Sequence, residues 1–71
     1  MTNGKTDGAR FLDQALEGVE SESIRAWANT DNNRPIFEKI AQNALDKAEA
    51  EGREADVDRF TAYVVCLAIG A

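Results

Sequence analysis

The last fifteen residues, 57–71, read VDRFTAYVVCLAIGA and carry no charge after Arg59. Wound as a helix at about 100° per residue, they set Val57, Phe60, Thr61, Val64, Leu67 and Ala68 on one face. A second apolar stripe, Ala62, Val65, Cys66 and Ile69, falls on another side. A helix that is apolar nearly all round has to be covered on more than one side. The expectation is therefore either that this helix is the most buried of a bundle or that its second stripe is a dimer interface. A bilayer span is excluded, because the uncharged run 60–71 is far shorter than the roughly 20 residues a membrane core requires.

The chain upstream supplies covering helices. Behind Asp7 as a cap, Phe11, Leu12, Ala15, Leu16 and Val19 gather on one helical face, and Gly18 marks the end. Ser21 and Ser23 are both placed to cap a short second helix that contributes Ile24, Trp27 and Ala28, with Trp27 as its anchor. Residues 29–33, NTDNN, form a loop that lacks the alternating acids, central glycine and closing glutamate of a calcium site. Asn33 then caps a third helix with Pro35 in its first turn, where the missing N–H costs nothing. Its apolar face is Ile36, Phe37, Ile40, Ala41, Ala44, Leu45 and Ala48, and Gly52 ends it. No segment alternates with period two, so no strand is expected. The pattern predicts an all-α fold: a small antiparallel bundle of four helices, about 7–18, 22–29, 34–51 and 54–69, forming one domain, 7–71, behind a loose polar arm, 1–6.

A chain of 71 residues buries only about 60% of the surface that its unfolded form exposes. One cysteine and no histidine remove an internal disulfide and make a zinc site unexpected, so no metal or cofactor is foreseen. Oligomerisation is the remaining support, and a homodimer through Ala62, Val65, Cys66 and Ile69 is the expectation. Cys66 itself reads as a buried packing residue. With no apolar leader in MTNGKTDG, the expected location is cytoplasmic.

A net charge of −5 turns the chain away from nucleic acid and anionic lipid and toward a protein partner with a basic surface. Residues 46–58 alone hold six acids against Lys47 and Arg53. If consecutive helices run antiparallel, the first and third turns share one end. Glu17, Glu20 and Glu22 then join Glu49, Glu51, Glu54, Asp56 and Asp58 in an acidic docking surface. The same acids also complement helix N-termini, which is the plainer use of them.

Catalysis is not expected, since no serine or cysteine has a recognisable base nearby in sequence. Gly4-Lys5-Thr6 lacks the preceding glycine and strand of a phosphate loop. Glu22-Ser23-Ile24 resembles the Asp-Ser-Leu motif of acyl and peptidyl carrier proteins, in which the serine receives phosphopantetheine; the resemblance implies that role for Ser23. It covers three residues, puts Glu where the family has Asp, and places the serine almost directly after the first helix. The third helix offers Lys39, Gln42, Asn43, Asp46 and Lys47 along one stripe, as the recognition helix of a helix-turn-helix nucleic-acid binder would. The overall acidity and the long preceding connection weigh against it. The reading that survives is a small acidic interaction module acting as adaptor, regulator or inhibitor of a partner protein.

Overall fold

The computed structural model describes residues 7–70; the expected arm, 1–6, with its Gly4-Lys5-Thr6 segment, lies outside the described residues, as does Ala71. The described chain forms four helices and no strand: α1 (Asp7–Glu17), α2 (Glu22–Ala28), α3 (Arg34–Ala50) and α4 (Val57–Gly70). They pack on one another as a small all-α bundle.

Local chemistry sets the helix ends. Ser21, not Ser23, caps α2: its Oγ accepts from the Ile24 N–H at 3.3 Å, while Ser23 sits exposed in the first turn. Asn33 precedes α3 but makes no side-chain cap; its Nδ2 turns back and donates to the Trp27 carbonyl at 2.9 Å, closing the end of α2. Gly52 adopts φ 72° and ends α3 by donating to Glu49 O at 3.1 Å, while Arg53 donates to Ala48 O at 2.9 Å. This double bond pattern satisfies carbonyls that the helix leaves open, and only glycine enters it without strain. The last helix starts at Val57 rather than near Glu54, because the Asp56 carboxylate accepts from the Arg59 N–H at 3.1 Å and fixes the start there.

The most buried helix is α1, not α4. Gly8, Ala9, Phe11, Leu12, Ala15 and Leu16 are all buried, whereas α4 buries only Phe60 and Val64. At 100° per residue those six positions of α1 span an arc of about 160°, wide enough to be clasped by α3 on one side and α4 on the other. The clasp depends on small residues. A Cβ on Gly8 would stand 2.8 Å from the Glu38 carbonyl oxygen, so α1 and α3 approach closely only because Gly8 has none. Leu12 and Val64 are completely shielded, and each such side chain is worth about 1.5–3 kcal/mol. Phe11 and Phe60 meet with ring centroids 5.3 Å apart, and Trp27 stands edge-on to Phe37 at 5.4 Å, anchoring α2 as expected.

The direction of α3 departs from the simple up-and-down order. Gly8 N–H donates to Gln42 Oε1 at 2.9 Å, and further along α1 Asp13 meets Arg34 at 2.8 Å, so α3 runs antiparallel to α1. With seven residues, α2 is only about 10 Å long, too short to traverse the bundle. It serves as a corner. Arg25 Nη1 donates to the Val19 carbonyl at 2.6 Å, and Arg34 Nη1 to Asn29 Oδ1 at 2.6 Å, holding that corner in place.

Candidate interaction surface

Antiparallel α1 and α3 divide the acidic residues into two groups. Glu17, Glu20 and Glu22 lie beside the corner where α3 begins. Glu49 and Glu54 border a depression with Asp7 and Arg10, at the start of α1. The seventeen residues of α3, about 25 Å of helix, separate the two groups, so the expected single acidic end is not formed. Asp58 stands exposed in the first turn of α4.

Glu51 is engaged locally. Arg53 Nε donates to its carboxylate at 2.7 Å, and that hydrogen bond, helped by the charges of Arg53 and Lys47, holds the Glu51 carboxyl below its usual range. Arg34 is the other ionic centre, reaching Glu38 at 2.7 Å and Asp13 at 2.8 Å. Partial burial works against its charge, but the two carboxylates outweigh that effect. Its three partners lie on α1, on α3 and at the end of α2, which makes it a pin of the fold rather than a free cation.

The stripe foreseen on the third helix is partly consumed inside the molecule. Gln42 accepts from Gly8 and donates to Asp46 Oδ1 at 3.0 Å, so neither Gln42 nor Asp46 presents an unengaged edge; Lys39, Asn43 and Lys47 remain exposed. Among the described residues no three of His, Cys, Asp and Glu stand close enough to hold a metal ion, and no helix is long and apolar enough to cross a membrane.

What the surface does offer is apolar. Ile69 is 75% exposed, Ile36 57%, Tyr63 43% and Leu67 39%, although Leu67 was expected in the core. Cys66, expected to be buried, is exposed as well. Of the stripe Ala62, Val65, Cys66 and Ile69, only Val65 turns inward, packing half-buried against the core; Tyr63 takes its place outside. The helix lies rotated in this way because Thr61 is drawn to α1, its Oγ1 2.8 Å from the Ala15 carbonyl oxygen, and because Phe60 and Val64 fill the interior.

Both α3 and α4 lean on α1, and a channel remains between them. Toward the corner it is a cleft of about 380 Å³ lined by Trp27, Ile36, Phe37, Ile40, Cys66 and Leu67 among others, with no acidic or basic side chain in its lining. Past Ile40 it continues as a cleft of about 670 Å³ over Phe11, Ala44, Phe60 and Tyr63, rimmed by charges of both signs, Lys47, Arg53 and Arg59 with Glu54 and Asp56. Sequence reasoning missed this channel. Ile36 and Ile40 follow helical spacing and read as core, but Ile36 is exposed and Ile40 lies half-buried at the edge of the core. The chain matches no known protein-family model, and no curated protein or solved structure matches it significantly.

Proposed function

We propose that this chain is a small non-enzymatic interaction module that works as an adaptor, regulator or inhibitor by occupying the surface of a partner protein. Its contact surface is the channel between α3 and α4. The observation that carries the reading is that, among the described residues, three of the four large exposed apolar side chains, Ile36, Tyr63 and Leu67, border that one channel. A chain this small has little apolar surface to spare for solvent, and an apolar patch rimmed by polar groups is the mark of a protein contact.

A channel with helical walls and a floor of aromatic rings suits an amphipathic helix laid along it, anchored by apolar residues at spacings of three, four and seven. The net charge of −5, with acids beyond both ends of α3, favours a partner whose flanking residues are basic and would hasten their encounter. Selection of displayed helical peptides against the chain, with counter-selection against an Ile36→Asp, Leu67→Asp variant, tests this. Enriched peptides should share that apolar spacing with Lys or Arg outside it. No enrichment, or peptides that bind the double variant equally well, would remove the channel from consideration.

A further inference from the structure

The outward face of α4 is self-complementary. Among its exposed positions, Ala62, Tyr63, Cys66, Ile69 and Gly70 form one helical stripe at spacings of three and four, flanked by exposed Leu67 and preceded by exposed Asp58 and Arg59 in the first turn. Laid antiparallel against its own copy with Cys66 opposite Cys66, the stripe maps onto itself. Small Ala62 meets small Gly70, and large Tyr63 meets large Ile69. A Cβ on Gly70 would have nothing within 4 Å, so the surface there is open to an approaching backbone.

Charge points the same way. Two copies each carrying −5 repel, and they can meet closely only where neither presents acids. The stripe from Ala62 to Gly70 is free of ionisable groups apart from the Tyr63 hydroxyl and the Cys66 thiol.

We propose that a second copy of this chain docks on α4 as an antiparallel two-fold pair centred on Cys66. This rests on the reading of the exposed apolar surface as a contact surface, and it assigns the α4 side of that surface to self-association. Leu67 flanks the stripe on the α3 side; Cys66 and Gly70 also line the corner end of the channel, so the pairing covers the α4 wall of that cleft and leaves Ile36, on α3, for a different protein. The dimer interface foreseen from sequence is thereby altered in one member, with Tyr63 replacing Val65. One pair of helices about 20 Å long covers less than the roughly 800 Å² per partner of a standard interface, so a reversible dimer is expected.

Sedimentation equilibrium of the full chain under reducing conditions, from about 5 to 500 μM, should show a monomer–dimer equilibrium. Ile69→Asp and Tyr63→Asp should each weaken it by about tenfold or more, with helical circular dichroism retained because both side chains are exposed. Register is read separately. Ala62→Cys and Gly70→Cys chains, each with Cys66→Ala, should cross-link to one another on mixing with oxidised glutathione faster than either cross-links to itself. A monomer throughout that range overturns the proposal, as does a dimer that ignores both Asp substitutions or cross-links preferentially between like positions. If the chain is monomeric while selected helical peptides still bind and lose binding with Ile36→Asp, Leu67→Asp, self-association fails alone and the interaction-module reading stands.

Discussion

Thr61 Oγ1 lies 2.8 Å from the carbonyl oxygen of Ala15 and 3.0 Å from that of Val57, so one hydroxyl bridges α4 to the last turn of α1. This contact spans 46 positions of sequence and sets the rotation of α4. Replacing Thr61 with Val keeps the shape and removes the donor. The change should cost about 1 kcal/mol, lowering the melting temperature by roughly 4–8 °C. An unchanged melting curve would show that the bond does not hold α4 in place.

Gly8 is the point where α1 and α3 come closest. Alanine is the better helix former by about 1 kcal/mol, so Gly8→Ala would stabilise an isolated helix. Here the new methyl would meet the backbone oxygen of Glu38 at 2.8 Å, and backbone cannot swing away as a long side chain does. Overpacking of this kind costs about 1–3 kcal/mol, so the expected result of thermal melting is net destabilisation. A higher melting temperature would mean that the two helices can part without loss.

The fold class was legible because helical spacing, the Pro35 start and the Gly52 stop are local signals, and each formed where it was read. Burial and direction were not. Gly8, Ala9 and Ala15 contribute little to any count of apolar residues, yet their small size lets two helices close on α1 and makes it the centre. The apolar content of α4, which suggested the centre, instead spills onto the surface as Tyr63, Leu67 and Ile69. The acidic residues were legible one by one, but their grouping depended on whether α2 crosses the bundle or turns its corner. That is decided by the bonds of Arg25, Asn33 and Arg34 across the corner, contacts between residues five or more apart that periodicity does not contain.

Ser21 and Ser23 separate the capping reading from the carrier reading. Ser21→Ala should destabilise the chain by about 1 kcal/mol, whereas Ser23→Ala, in the exposed first turn, should change the melting temperature by no more than a degree or two. Intact mass measurement of natively expressed protein should show no phosphopantetheine on Ser23. An adduct there would promote the resemblance of Glu22-Ser23-Ile24 to the carrier motif from a local likeness to a function.

Glu51 should titrate below the ordinary carboxylate range when followed by NMR. Its folded value is lowered by the Arg53 hydrogen bond, so the stabilisation it provides is present above the ordinary carboxylate range and is lost as pH falls through the lowered value. Arg53→Gln should return Glu51 toward the ordinary range. If Glu51 already titrates in the ordinary carboxylate range in the unmodified chain, the pair is open in solution, and the carboxylate is free to meet a basic partner.

Cys66 provides the last test, since its exposure reverses what its apolar neighbours suggest. In dilute native protein it should react with a thiol reagent within a few-fold of the rate seen in denaturant, as an accessible thiol does. Raising the protein concentration into the range where α4 pairs should slow the reaction, because in the pairing Cys66 lies on the two-fold axis. The Ile69→Asp variant should lose that concentration dependence while keeping the fast dilute rate. Slow reaction at every dilution would instead place Cys66 inside the monomer, which would require α4 to be rotated from the position that Thr61 and Ala15 define.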